Sequence, residues 1–196
     1  MEPFNLLHAV ALPIAQANFD TDQILPARYL QKPRSENFGH FLFRDLRLRA
    51  DGTTVPEFVL NQAPYKPARI VVAEHNFACG SSREHAVWAL YDYGVRAVIA
   101  PSYGDIFMSN AAKNGLLTIV LPTAVVADLI SRLQAVPGMQ LTIALDAQTV
   151  ALPDGETHTF EIDPYLKQCL RDGLDELGYT LTQLDKIVSF EGRYAY

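Results

Sequence analysis

The chain is short of the residues needed to hold a redox cofactor. Among 196 residues there are two cysteines, Cys79 and Cys169, far apart and without C-x-x-C spacing. An iron-sulfur cluster is normally held by three or four cysteines, so no cofactor is expected on this chain alone. The five histidines form no H-E-x-x-H or similar close pair, which argues against a metal site. Neither G-x-G-x-x-G nor G-x-x-x-x-G-K-[ST] occurs, leaving nucleotide cofactors unsupported. Basic charge is also scarce. Sixteen Lys and Arg face 22 Asp and Glu, a net charge of −6, so neither nucleic acid nor a membrane surface is an expected partner. No apolar run approaches the roughly 20 residues of a membrane span. The first residues, MEPFNLLHAV, carry an acidic side chain and no basic segment, so they do not read as a secretory signal. With two isolated thiols, a reducing cytoplasm is the expected compartment.

What is present is a globular composition, 49% apolar and 19% charged, long enough for a real core. Residues 1–196 are expected to form one α/β domain, its core at about 68–136 with β-rich extensions and C-terminal helices around it. Residues 9–15 read as a strand, followed by a loop-rich stretch that Pro33, Gly39, Gly52, Pro56, Pro64 and Pro67 keep interrupting. Short β-branched runs at 68–76, 96–101 and 116–122 alternate with helical segments at 82–94 and 105–115, the pattern of a parallel sheet with crossover helices. Residues 123–136 place Val126, Leu129, Ile130 and Leu133 on one helical face. Residues 139–162 read as β structure with an Asp154-Gly155 hairpin turn. Asp163 and Pro164 open a helix expected to run to Gly178, and Thr180 opens a last one with Leu181, Leu184, Ile187 and Val188 facing inward.

The segment NFACGSSREHA (76–86) joins a strand to a helix, which places unpaired N–H groups at Ser81 to Glu84 and the positive end of a helix dipole at the sheet's carboxyl edge. Arg83 adds a guanidinium suited to a carboxylate, and Ser81 stands where donors would stabilise a deprotonated oxygen. The same S-S-R-E spacing also reads as a capping box in which Ser81 only caps the helix. In NFDTDQILPARYLQKPR (18–34), Asp22 reads either as an acid-base group or as a turn residue satisfying its own backbone. Arg28, Lys32 and Arg34 read as cations brought to the same anion or as an ordinary solvated face. Asp105 and Asn114-Gly115 read as helix caps, and His85 and Trp88 as packing groups.

The segments DTDQILPARYL (20–30), NFACGSSREHAVWAL (76–90), APSYGDIFMSNAAKNGLL (100–117) and TLTQLDKIVSFEG (180–192) together resemble the small-subunit family of the bacterial 3-isopropylmalate dehydratases, in the aconitase superfamily. The resemblance spans nearly the whole chain in order. It implies a swivelling β/β/α domain and a large-subunit partner carrying a 4Fe-4S cluster, the pair forming a heterodimer. It implies a hydro-lyase of leucine biosynthesis that converts 2-isopropylmalate to 3-isopropylmalate through 2-isopropylmaleate, with the partner's cluster iron as Lewis acid. By the family's motifs Ser81 is the base, Arg83 binds a substrate carboxylate with Ser82 beside it, and Asp22 pairs with a histidine of the partner. A further carboxylate-binding arginine matches Arg34 best, with Arg28 as rival, and Leu30 is the candidate wall for the isopropyl group.

Ala78 stands where the family commonly has glycine and Thr118 where proline often follows GLL; both are expected to affect packing only. The loop PRSENFG (33–39) departs further, and Lys32 or Arg34 keeps a homoaconitate, citraconate or methylmalate substrate open. A reading from another class is a non-catalytic carboxylate-binding regulatory module.

Overall fold

The apolar run Leu6–Ile14 forms β1, and the rest of the sheet is arranged around it. In the computed structural model, which describes residues 1–194, a seven-stranded sheet runs β4-β3-β2-β1-β5-β6-β7. Strands β2 (Ile70–Ala73), β3 (Ala97–Ala100) and β4 (Leu117–Val120) lie parallel to β1, as the unbroken apolar character of β2 and β3 predicts, with β4 at the edge. On the other side β5 (Gln140–Ala144), β6 (Thr149–Ala151) and β7 (Thr157–Thr159) are antiparallel. The first half of β1 pairs with β5, Leu6 opposite Ala144 through Val10 opposite Gln140. The second half pairs with β2, Ala11 opposite Ile70 through Ile14 opposite Ala73. Residues 6–14 are therefore the joint between two half-sheets rather than an extension of a core at 68–136.

The helices are α1 (Thr21–Ile24), α2 (Arg44–Arg47), α3 (Glu84–Tyr93), α4 (Asp105–Lys113), α5 (Thr123–Ala135), α6 (Pro164–Asp172), α7 (Glu176–Thr182) and α8 (Leu184–Glu191). Alternation along the strands divides the interior. Val10, Leu12, Ile14, Val71 and Val98 face one core, shared with α3, α4 and the loop-rich stretch. Ala9, Ala11, Ile70, Val72 and Ile99 face a second core, closed by Val126, Leu129, Ile130 and Leu133 of α5, the face expected from spacing. The long connection and the α3 and α4 crossovers thus share one side of the sheet, so the loops after β1, β2 and β3 meet at its carboxyl edge.

The C-terminal expectations need correcting. The helix from Pro164 ends at Gly173, whose φ of +70° supports a left-handed cap with its N–H on the carbonyls of Cys169 and Leu170. Asp175 then caps α7, its carboxylate accepting the Gly178 N–H at 2.6 Å, so Gly178 begins a helix instead of ending one. Thr180 lies inside α7, and Gln183 precedes α8. This break moves the apolar stripe outward. Leu181, Leu184 and Val188 are 58%, 51% and 58% exposed, not inward-facing.

Candidate active site

Backbone pairing draws the loops after β1, β2 and β3 together. The Ala78 N–H donates to Phe19 O at 2.6 Å, the Thr21 N–H to Cys79 O at 2.9 Å, and the Gly104 N–H to Phe77 O at 3.0 Å. Beneath them lies an aromatic floor. Phe19 stacks on Phe77 at 5.8 Å, and Phe107 meets Phe77 edge-on at 5.7 Å. These rings exclude water from under the corner and fix where its polar side chains emerge.

The chain enters the corner through three left-handed residues, Asn76 at φ +59°, Ala78 at φ +56° and Gly80 at φ +94°. Ala78 is thus more than a packing variant, because glycine at this position would relieve a backbone conformation that a Cβ disfavours. Close approach adds to this, since a Cβ on Gly104 would lie 2.6 Å from the Ala78 carbonyl oxygen.

Helix α3 begins later than the motif spacing suggests. Its N-cap is Arg83, with no side-chain capping bond, so Ser81 is not the cap of a capping box. The capping box sits instead at Asp20 and Gln23, where Asp20 accepts the Gln23 N–H at 2.8 Å and Gln23 accepts the Asp20 N–H at 3.0 Å. At α3 the N–H groups of Ser82, Arg83, Glu84 and His85 donate to no protein acceptor among the described residues. The Ser81 N–H is taken, donating to Thr21 Oγ1 at 3.3 Å, and the Ser81 and Thr21 hydroxyls also lie 3.3 Å apart. Ser81 and Ser82 are exposed in front of this unpaired array. A developing negative charge there would meet oriented donors and the positive end of α3.

Arg83 folds back over the corner. Its Nη1 donates to Asp22 Oδ1 at 2.5 Å and to Leu25 O at 3.3 Å. This guanidinium holds the Asp22 carboxyl below its usual value, partial burial opposing and the Ala27 N–H assisting. The Asp22 oxygen accepts that N–H at 2.8 Å, as the turn reading expects, and at the same time pairs with Arg83.

The remaining candidates divide. Arg28 is ion-paired to Asp45 and lies over the Tyr29 ring at 4.8 Å, close enough to this corner for the Asp45 charge to act on Asp22. Arg34 is not brought to Ser81. It grips Asp92 near the far end of α3 with two bonds of 2.9 Å and lies 5.0 Å from the Trp88 ring. Leu30 is half-buried against the first core.

The loop carrying Arg34 is docked along α3. Asp92 also accepts the Phe38 N–H at 2.9 Å, and Phe38 packs edge-on to His85 and Trp88. Burial pushes the His85 imidazole below its ordinary value, with Glu84 and the Leu30 carbonyl opposing. Gly39 comes so close that a Cβ would lie 2.6 Å from Tyr93 N. Asn114 links the α4 cap to α3, accepting from Trp88 Nε1 at 3.1 Å and donating to Glu84 at 2.9 Å. At the α4 start, Gly104 and not Asp105 is the N-cap. Thr21 is a part of the site that its place inside the DTD motif could have signalled, and Asp92 is a partner that only the fold brings to Arg34, away from Ser81.

Cys79 is half-buried and Cys169 buried, both as free thiols, and no group of three or more His, Cys, Asp and Glu side chains among the described residues is arranged to hold a metal ion. The two thiols of this chain do not fit an iron-sulfur cluster.

A half-parallel sheet with a donor-lined corner at its strand ends defines a domain of the aconitase C-terminal class, and residues 1–124 match the Aconitase C-terminal domain while residues 127–164 match LeuD_N. The chain is 48% identical over 193 residues to the 3-isopropylmalate dehydratase small subunit of Rhodospirillum centenum, covering 98% of this chain and 95% of that protein. It is 45% identical over 193 residues to the protein of the same name from Brevibacillus brevis, covering 98% of this chain and 100% of that one. The crystal structure titled 3-isopropylmalate dehydratase (leuD) from Methanocaldococcus jannaschii superposes with a TM-score of 0.68 at 25% identity, covering 95% of this chain and 99% of that one. The chain belongs to the family of 3-isopropylmalate dehydratase small subunits.

Proposed function

We propose that this chain is the small subunit of a 3-isopropylmalate dehydratase, a hydro-lyase of leucine biosynthesis that isomerises 2-isopropylmalate and 3-isopropylmalate through 2-isopropylmaleate. The observation that carries this reading is the exposed Ser81 hydroxyl standing before the unpaired N–H groups of Ser82 to His85 in a chain with full-length relatives of that name. Ser81 is the base that takes the proton from the carbon beside a substrate carboxylate. A serine hydroxyl is a weak base, and the donors at the start of α3 favour its deprotonated form. Arg83 binds a carboxylate, and Asp22 holds its guanidinium over the corner until the substrate arrives. Ser82 offers its N–H and hydroxyl beside it.

For a second carboxylate Arg34 and Arg28 both remain candidates, each held by a carboxylate that a substrate would have to replace, Arg34 by Asp92 and Arg28 by Asp45. Leu30, held half-buried between Tyr29 and the loop, supplies the apolar wall for the isopropyl group.

Ser81, Ser82 and Asp22 are all exposed, so this chain offers the corner of a site that needs a second wall. We assign that wall, with the 4Fe-4S cluster and the departure of the hydroxyl group, to the large subunit. The free thiols Cys79 and Cys169 fit assembly in a reducing cytoplasm. Mixing the chain with a cluster-bearing large subunit under anaerobic conditions should hydrate 2-isopropylmaleate, and Ser81→Ala should abolish turnover while assembly persists. Turnover retained in Ser81→Ala would remove Ser81 from the role of base.

A further inference from the structure

Tyrosines apart, Thr21 is the one polar side chain among the buried described residues, at 2% exposed, in a corner where Ser81, Ser82 and Asp22 face solvent. A buried hydroxyl has to place one proton and is costly when that proton finds no acceptor. The surroundings of Thr21 leave a single choice. Its Oγ1 already accepts the Ser81 N–H at 3.3 Å, so a lone pair is used and the proton must go elsewhere. The only other side-chain partner of Oγ1 among the described residues is Ser81 Oγ, also at 3.3 Å. The geometry allows the Thr21 hydroxyl to donate to the Ser81 oxygen while its own oxygen holds the Ser81 backbone.

The placement is built by the fold on both sides. Thr21 opens α1 directly after the Asp20 cap, and its N–H is fixed on Cys79 O at 2.9 Å. A Cβ on Gly80 would lie 3.8 Å from Thr21 Oγ1, so the bend beside the serine leaves the contact room. We propose that Thr21 is a positioning residue for Ser81: its hydroxyl donates to Ser81 Oγ, orients that oxygen and stabilises it in the deprotonated form that takes the substrate's proton. The inference rests on reading Ser81 as the base. The 3.3 Å separations are long for a hydroxyl hydrogen bond, as expected before substrate and a second wall close the corner.

The test uses the complex reconstituted with a cluster-bearing large subunit and follows hydration of 2-isopropylmaleate. Thr21→Val keeps the shape and removes the hydroxyl, Thr21→Ala repeats the loss should valine fold poorly, and Thr21→Ser restores the hydroxyl without the methyl group. The expectation is a kcat about ten-fold lower in the valine and alanine variants. KM should stay within about two-fold and the serine variant within about three-fold of the parent kcat, since substrate contacts and the donor are retained. Run in the dehydration direction, with 2-isopropylmalate deuterated at the carbon that loses its proton, Thr21→Val should show a larger isotope effect than the parent, which a merely structural role would not produce. A kcat unchanged in both hydroxyl-free variants, or a serine variant as impaired as valine, would overturn the proposal. Ser81→Ala in the same assay keeps the two readings apart: if it abolishes turnover while Thr21→Val and Thr21→Ala leave kcat unchanged, only the role of Thr21 fails.

Discussion

Arg83 Nη1 lies 2.5 Å from Asp22 Oδ1, tying the loop after β1 to the loop after β2 across the mouth of the corner. The Asp22 side chain is 57% exposed while that of Arg83 is 18%, so the pair is anchored from the arginine side. Its consequence is a matter of acid pH. A carboxyl whose midpoint is lowered on folding contributes stability that is complete above its ordinary value of 3.8 and is lost as pH falls through the lower, folded midpoint. A carbon-detected NMR titration should place the Asp22 midpoint below 3.8, and Arg83→Met should move it back up. A midpoint at or above 3.8 in the parent chain would mean that the pair does not persist in solution.

Gly39 is where the Arg34 loop presses on α3. Any Cβ there would meet backbone, 2.6 Å from Tyr93 N and 2.8 Å from Asp92 C, and backbone cannot rotate away as a side-chain tip can. Gly39→Ala should therefore cost about 1–3 kcal/mol, in the range of overpacking substitutions. The same change should loosen Arg34 from Asp92. Urea denaturation checks the first effect as a lower midpoint with unchanged slope. An unshifted midpoint would show that the loop does not rest on the helix.

Ala78 offers a test of backbone strain at the entry to the site. Its φ of +56° costs an alanine about 1–2 kcal/mol. Glycine escapes that cost but adds about 0.4–1 kcal/mol of unfolded-chain entropy, so Ala78→Gly should lie between neutral and about 1.5 kcal/mol more stable. Ala78→Val places a β-branched side chain in the same conformation and should lose about 1–3 kcal/mol or more. Thermal unfolding of the two variants should thus separate them in that order. A valine variant as stable as the parent would contradict the left-handed geometry.

The particular residues read in advance show what pattern carries. The runs at 68–76 and 96–101 became β2 and β3 because continuous apolar stretches suit a strand buried on both faces, and 116–122 became β4 at the sheet edge, where Thr118 and Val120 are partly exposed. The stripe Val126, Leu129, Ile130 and Leu133 landed on α5 as spaced, because a long amphipathic helix has one face to bury. Ser81, Arg83 and Asp22 met because their motif segments sit at the ends of adjacent parallel strands. What escaped was non-local. The contact of Arg34 with Asp92 spans 58 residues and depends on a loop that no periodicity describes. The central place of β1 depends on which strands pair, which its own nine residues do not say. The start of α3 moved because Thr21 lies close enough to engage Ser81 in place of a capping bond.

The C-terminal stripe gives the sharpest division between pattern and packing. Leu177, Leu181, Leu184 and Val188 recur at helical spacing, yet they are 67%, 58%, 51% and 58% exposed. The cause is the pair of caps, Gly173 ending α6 and Asp175 starting α7, which turns the chain before its leucines can reach the second core. Leu184→Lys should then change the stability of the isolated chain by less than about 0.5 kcal/mol, the range of surface substitutions. Leu133→Ala on α5, where the side chain is fully buried, should cost about 2–5 kcal/mol. Denaturation of both variants against the parent checks the contrast. A loss above about 1 kcal/mol in Leu184→Lys would exceed that surface range and mean that α8 folds back onto the domain.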